Sequence, residues 1–351
     1  MIRVLIQFLR KKGLKGDPLG FKIAVFFFFL LWYAASGYLF FEMEAKPDLT
    51  WSDTIWWALV TMTTVGYGDF FPETPGGRFI IGIPTMILGI GFLGYILSEV
   101  ASKLIESKSR RLHGMADINF TDHIIIVNFI HLQNLLSLIK ELKLDPWSAQ
   151  KRICLIDESL EELPPELDKI GVVFIKGNPT MESTLKRACI DTATHAIVLS
   201  KDPNNIHSDD QNLATILMIE DINSEIITVA ECINPEKVRQ MIAAGCDRIV
   251  CTSRLTNNFL VQEIQDPGIQ NVISEITSNV YGQQLYIVTI ENMARWQADE
   301  LKEWARAEGF IVIGVRREQK SILNCENAFK IEKNDRAILL GPARPANINT
   351  A

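Results

Sequence analysis

Thr61-Met62-Thr63-Thr64-Val65-Gly66-Tyr67-Gly68-Asp69 is uncharged until its last residue and holds two glycines one residue apart. It lies between two long apolar runs, and few folds tolerate that arrangement. Non-helical backbone at membrane depth survives only inside protein or beside a water-filled passage. Alternate glycines let successive carbonyls turn the same way, because only glycine reaches the required conformations at low cost. Rings of such carbonyls can replace the water around a dehydrated cation. Gly66 and Gly68 supply the permissive positions, Thr64 can add a hydroxyl, and Val65 and Tyr67 can pack outward to brace the loop. The plainer reading is a Gly-Tyr-Gly surface turn, and the apolar flanks argue against it.

The flanks set the topology. Phe21 to Phe41 is apolar apart from Lys22 and a few Ser and Tyr positions, long enough to cross a hydrocarbon core of about 30 Å. Residues 1–20 carry Arg3, Arg10, Lys11, Lys12 and Lys15, either as a helix lying on the membrane or as a positive flank. Glu42, Glu44, Asp48 and Asp53 follow the crossing, opposed only by Lys46. Basic before and acidic after puts the N-terminus inside the cell. No cleavable signal peptide is read, because the first apolar run is too long. Residues 52–63 read as a short helix that enters without crossing, capped by Thr50 or Ser52, with Trp56 and Trp57 as a cuff around the loop at 64–69. The partially negative C-terminal end of that helix would favour a cation. Asp69 to Gly77 is a Pro/Gly return. Residues 79–112 form the second crossing, which ends on Lys103, Lys108, Arg110 and Arg111. Gly89 is either a hinge or a small-residue packing contact, and Pro84 is a competing kink site. Leu97, two turns beyond Gly89, suits an apolar constriction that gates by dewetting. No segment repeats arginine at every third residue, so there is no voltage sensor of the usual kind.

After a linker at 113–120 the pattern changes. Short apolar runs at His123–Val127, Ile153–Asp157, Val172–Lys176, Ala196–Ser200, Ile226–Glu231 and Arg248–Cys251 alternate with helical stretches at Leu132–Leu142, Met181–Ala188, Gln211–Asp221 and Pro235–Ala244. That alternation predicts βαβ units and a doubly wound parallel sheet over residues 121–252. Ligands of such sheets bind beyond the carboxyl ends of the strands. The loop after the first strand, Asn128 to Gln133, has Asn128, Ile130 and Gln133 where a phosphate loop has glycines. Side chains there are expected to obstruct a pyrophosphate, although the following helix N-terminus suits an anion. Asn128 and His131 of this loop, Asp157 and Glu158 after the second strand, Gly177 and Asn178 after the third, and Ser200 after the fourth form the candidate nucleotide set. No strand-end loop presents a nucleophile–base pair, so catalysis is not expected. The formal net charge of −7 argues against a nucleic-acid partner. The six cysteines form no CxxC pair and are expected to be buried free thiols.

The segment Thr64–Gly68 resembles the potassium-channel filter signature TVGYG at all five residues. Residues 115–345 resemble the RCK domain, the regulator of potassium conductance related to the nucleotide-binding subunits of Trk/Ktr uptake systems. That second resemblance rests on Gly177–Thr180, Ala230-Glu231, Ala244–Asp247, Gly314–Arg317 and Lys333–Asp335. Together they imply an α-helical membrane pore of two crossings (21–41 and 79–112) with a re-entrant pore helix, then an α/β Rossmann-like RCK lobe. Crossover helices (253–280, broken at Asp266–Gly268) and a small α+β C-terminal lobe (281–345) complete it. They imply K+ as permeant ion, a homotetramer in membrane lipid of the inner cell membrane, and a cytoplasmic ligand: NAD, ADP or ATP, or Ca2+. For Ca2+, Glu231 falls on a ligand position of calcium-gated relatives, and Asp202, Asp209 and Asp210 form an acidic loop nearby. Complete rings in the family contain eight soluble domains, and soluble copies started at Met115 are one source of the rest. The alternatives are a potassium-uptake transporter subunit and a membrane-tethered nucleotide-dependent dehydrogenase.

Overall fold

The computed structural model describes residues 18–289, 296–318 and 320–345. The basic segment at 1–17 and Ile290, where the sequence puts the end of a strand over Gln284–Ile290, lie outside the described residues. The chain divides into two compact units, Met1–Lys108 and Ser109–Ala351.

In the first unit, α1 (Pro18–Glu42) and a continuous helical stretch over Gly76–Leu112 are long and apolar enough to cross a membrane. Between them α2 (Trp51–Met62) starts on Thr50. The Thr50 hydroxyl accepts from the Asp53 N–H, and the Asp53 side chain accepts from the Thr50 N–H, so two orphan donors of the helix start are satisfied. The core is built from small residues and stacked rings. Ala34, Ala35 and Ala58 are buried beside Tyr38, Trp57 and Ile81, and the Tyr38 and Trp57 rings stack at 4.2 Å.

The second crossing begins earlier than the sequence predicts, as a wide π-helical turn over Gly76–Gly82, and becomes α3 (Ile83–Leu112) one residue before Pro84. Proline has no N–H for the carbonyl four residues back, here that of Ile80. The Tyr33 hydroxyl donates to that carbonyl at 2.8 Å. Gly89 does not break the helix. A Cβ there would lie 2.7 Å from the Cα of Met62, so the glycine admits the end of α2 against α3.

The second unit starts on a parallel sheet of six strands: β1 (Ile124–Val127), β2 (Ile153–Asp157), β3 (Val173–Lys176), β4 (His195–Val198), β5 (Ile227–Cys232) and β6 (Arg248–Cys251), in the order β3-β2-β1-β4-β5-β6. Every residue of β1 and β2 is buried, as near-continuous apolar strands covered on both faces require. The helices are α4 (Leu132–Leu144), α5 (Pro165–Lys169), α6 (Glu182–Arg187), α7 (Ser208–Ile222) and α8 (Val238–Ala243). Two clusters, one on each face of the sheet, make the core. All six cysteines are free, and four are buried. Burial pushes the Cys232 thiol up to about 12 and that of Cys246 up to about 11, which keeps both protonated and unreactive.

Two helices follow, α9 (Thr252–Gln265) and α10 (Ile269–Thr277), separated at Asp266–Gly268 as the sequence predicts; Gly268 has φ +100. Neither helix has a buried residue. The terminal lobe packs α11 (Ala298–Ala307) on an antiparallel sheet of β7 (Gln284–Val288), β8 (Ile311–Arg317), β9 (Lys320–Leu323) and β10 (Arg336–Gly341), in the order β7-β10-β8-β9. The strand at 320–323 has no counterpart among the sequence expectations. It is four residues long and lies on the sheet edge, so it shows little of the alternation that marks a strand.

Candidate functional site

The Thr64–Asp69 loop leaves the C-terminal end of α2 without a regular element. Three alternate residues have left-handed backbone: Thr64 at φ +63, Gly66 at +57 and Gly68 at +77. Sequence reasoning anticipates the two glycines but not the threonine. A β-branched residue with positive φ is strained, and neighbouring bonds hold it. Thr64 N–H donates to Thr61 O, while Val65 and Gly66 N–H both donate to Val60 O. The C-terminal carbonyls of α2 thereby grip the start of the loop. Trp56 steadies its far end: the indole N–H donates to Asp69 at 2.8 Å, and the ring stacks parallel to Tyr67 at 5.9 Å. Trp57 points instead into the core against Tyr38, so of the two tryptophans only Trp56 braces the loop. Val65 and Tyr67 are exposed in the single chain, as is Leu97 on α3.

A second set of bonds fixes the outer return. The Glu42 carboxylate is fully buried and accepts from Glu73 N–H, Thr74 N–H and the Thr74 hydroxyl at 2.7–3.0 Å. Lys46 reaches the Phe71 carbonyl at 2.7 Å and the Glu73 carboxylate at 3.0 Å. The return is thus stapled to the end of α1, a role no local sequence pattern announces.

At the carboxyl edge of the parallel sheet the candidate nucleotide residues separate into two groups. Asn128 does not obstruct the loop. It takes φ +72, which asparagine tolerates better than most residues, and its side chain turns inward to donate to Leu199 O at 2.7 Å and to Asn212 at 3.4 Å. Asn212, buried on α7 and not anticipated from sequence, donates in turn to the Ser200 hydroxyl and to Glu231 O. The Glu231 carboxylate accepts from Ser200 N–H at 2.9 Å. Asn128, Ser200 and Glu231 therefore meet in one network that ties the ends of β1, β4 and β5. Its signal in the sequence is a lone asparagine before the apolar run of α7.

Asp157 also differs from expectation. Its carboxylate is fully buried and accepts from Phe129 N–H, Ser159 N–H and hydroxyl, and Leu160 N–H at 2.6–2.9 Å. It holds the loop after β1 to the loop after β2, and those donors occupy the oxygens that a ribose would need. Glu158 and His131 are exposed; His131 is the N-cap of α4 and makes no side-chain cap bond. Gly177 lets Thr184 approach where a Cβ would lie 2.6 Å from its hydroxyl. Asn178 folds back on Thr180.

The four acids considered for Ca2+ do not converge. Asp209 is fully buried and accepts from Ile233 and Asn234 N–H. Asp210 pairs with Lys237 at 2.6 Å, which holds its carboxyl below the usual carboxylate range. Asp202 closes its own turn on Asn204 N–H, and Glu231 is engaged with Ser200. Among the described residues no group of three or more His, Cys, Asp or Glu side chains is arranged to hold a metal ion. Each acid has a nearer donor than a cation would find, for the sequence proximity of these acids does not fix where their oxygens point.

Residues 25–106 match the ion-channel family and residues 136–252 match the TrkA-N domain family. The calcium-gated potassium channel TvoK of Thermoplasma volcanium is 24% identical over 351 residues, covering 96% of this chain and 95% of that one. YugO of Bacillus subtilis, assigned as a potassium channel protein, is 29% identical over 265 residues, covering 75% of this chain and 76% of that one. Among solved structures, the GsuK channel bound to NAD is 17% identical with a TM-score of 0.48, covering 92% of this chain and 57% of that chain. With an ion-channel segment, a full TVGYG loop and a TrkA-N domain in one chain, the protein is similar along most of its length to prokaryotic potassium channels that carry a C-terminal regulatory domain of the TrkA-N type.

Proposed function

We propose that this chain is one of four subunits around a single potassium-selective pore, opened or closed by a ligand on its soluble unit. The observation that carries the reading is the alternation of left-handed backbone at Thr64, Gly66 and Gly68 between two crossing-length helices. One loop supplies a quarter of each carbonyl ring, so four chains complete the site. Thr64, Val65, Gly66 and Tyr67 then contribute the rings on which K+ sheds its water, and Leu97 narrows the inner mouth. The positive-inside pattern supports a cytoplasmic N-terminus and soluble unit, with the pore in the inner cell membrane. Soluble copies started at Met115 would raise four soluble domains to eight.

The ligand we favour is an adenine nucleotide at the switch point between β1 and β4, where the strand order reverses and doubly wound sheets bind ligands. The inward turn of Asn128 leaves the uncapped N-terminus of α4 open to a phosphate, and Glu158 is the free acid beside it. The name of TvoK supports Ca2+ as the competing ligand, whereas the dispersed acids disfavour it. The chain is read as a channel and not an enzyme, on the strength of its relatives.

Single-channel recording of purified protein in potassium bilayers tests this, with NAD, ADP and Ca2+ added one at a time to the soluble side. Glu158→Ala is the informative variant. Asp157→Ala removes the acceptor for four internal donors and reports on folding instead. A nucleotide response that Glu158→Ala weakens supports the site. A response to Ca2+ alone moves the sensor elsewhere, and equal currents in K+ and Na+ would defeat the potassium reading.

A further inference from the structure

The linker read at 113–120 does not begin free of the fold: its first residues are anchored. Met115 N–H donates to Arg110 O and Gly114 N–H to Arg111 O, at 2.8 and 3.2 Å. This is the closing pair of a Schellman cap with Gly114 at φ +68. The capped end is then gripped by the soluble unit, to which the last turn of α3 belongs. Leu163 N–H donates to Leu112 O at 2.8 Å, and Lys176 N–H to Gly114 O at 3.0 Å. The Arg187 guanidinium spans two carbonyls, Gly114 O at 2.6 Å and Lys176 O at 3.0 Å. Arg111 pairs with Asp168 at 2.9 Å. Lys176 ends β3, the edge strand of the sheet, so the clamp also covers N–H groups that an edge leaves open. A Cβ on Gly114 would collide with the backbone N of Lys176, so close seating and positive φ both require glycine.

We infer that this clamp, with Arg187 as its positioning residue, is the joint through which the soluble unit moves the pore helix. Residues 115–120 are then not the path of force. The helix cap is closed by internal bonds and held at three carbonyl contacts, so displacement of β3 and α6 reaches α3 without slack. An arginine fork fixes two carbonyls in one geometry, which a lysine point charge cannot do. The inference rests on the ligand-gated reading above.

The test uses the full-length channel in bilayers, with three variants beside wild type. Arg187→Lys and Arg187→Gln open the clamp. Insertion of two glycines after Asp117 lengthens the chain beyond the clamp and leaves it intact. The expected result is unchanged unitary conductance in all variants, loss of about fivefold or more of the ligand-evoked change in open probability in both Arg187 variants, and near wild-type gating in the insertion variant. Amide exchange at Leu163 and Lys176, faster in the Arg187 variants only, shows that the clamp and not the whole fold has loosened. The opposite pattern, gating lost by the insertion and kept by Arg187→Lys, overturns the inference. If wild type conducts K+ but ignores every ligand, ligand gating itself has failed. The joint is then judged on spontaneous openings, which Arg187→Lys must still shift; no shift overturns it.

Discussion

Thr64, Gly66 and Gly68 carry the loop's left-handed backbone. A Cβ at Gly66 or Gly68 meets no atom of the same chain within 4 Å, so the cost there is backbone strain of about 1–2 kcal/mol per residue. In the four-chain pore proposed above, that cost is multiplied around one pore. Gly68→Ala is therefore expected to fold and assemble but to lose K+ over Na+ discrimination, read as the ratio of rubidium to sodium tracer flux into liposomes. Tyr33 offers a cleaner case in the membrane. Its hydroxyl serves the Ile80 carbonyl that Pro84 cannot serve. Tyr33→Phe is expected to cost about 1–3 kcal/mol, the penalty of a polar group left unsatisfied. Pro84→Ala restores a backbone donor, so the double variant should cost clearly less than the sum of the two singles in detergent unfolding. Simple additivity would show that the two residues act independently. The glycines were legible in the sequence because their chemistry is local. The Tyr33–Ile80 bond was not, since nothing in residues 33 and 80 alone says that they meet.

Elements were legible where periodicity is strong and blurred where an edge or a cap decides. The six parallel strands follow from apolar runs at regular spacing, within two residues of the expected ends. The short edge strand β9 and the π-helical entry at Gly76–Gly82 left no such trace, because one needs its neighbour's register and the other the crowding of Glu42 and Phe41 against Gly77 and Gly76. In the terminal lobe, the end of β8 is joined to the residue before β10 by an ion pair whose carboxylate is buried and whose guanidinium is partly exposed. Arg317 donates twice to Asp335, at 2.8 and 2.9 Å, and Glu332 N–H adds a third bond. Burial pushes the Asp335 carboxyl up, but these bonds outweigh it and hold the group below the usual carboxylate range. The sign follows: a depressed folded pKa contributes stability that is present above the unfolded value of about 3.9 and is lost as pH falls through the folded one. Asp335→Asn should thus lower the melting temperature at pH 7, and the gap to wild type should close below pH 4. A gap that does not narrow at all as pH falls below 4 would place the effect in packing and not in charge.

At the scale of the whole molecule, the helix pair after the parallel sheet leaves an apolar face uncovered in the single chain. Phe259, Leu260, Val261 and Ile264 on α9 and Val272 on α10 are 39–82% exposed, a large apolar surface for a soluble module. The association we propose would cover it, with about 1.5–3 kcal/mol for each large side chain buried. The pair of substitutions Leu260→Glu and Ile264→Glu is expected to shift the protein toward smaller assemblies by light scattering, with circular dichroism unchanged. An unaltered mass would mean that this surface faces something other than a second copy.

The sequence by itself determined the order of the parts: two crossings, the carbonyl loop, the doubly wound sheet, the broken helix pair and the terminal lobe. Those features depend on composition, on period and on five contiguous residues, all written along the chain. Only the tertiary structure decided what the charged and polar side chains do. Asp157, Asp209 and Glu231 look like ligand groups in a string of residues, and each proves to be occupied by backbone donors brought from elsewhere in the chain. Gly114 reads in the sequence only as part of a linker, and in the structure its carbonyl is held by Arg187. The reason is that a hydrogen bond depends on where two distant atoms meet, whereas hydrophobic period and backbone permissiveness are properties of neighbours in sequence.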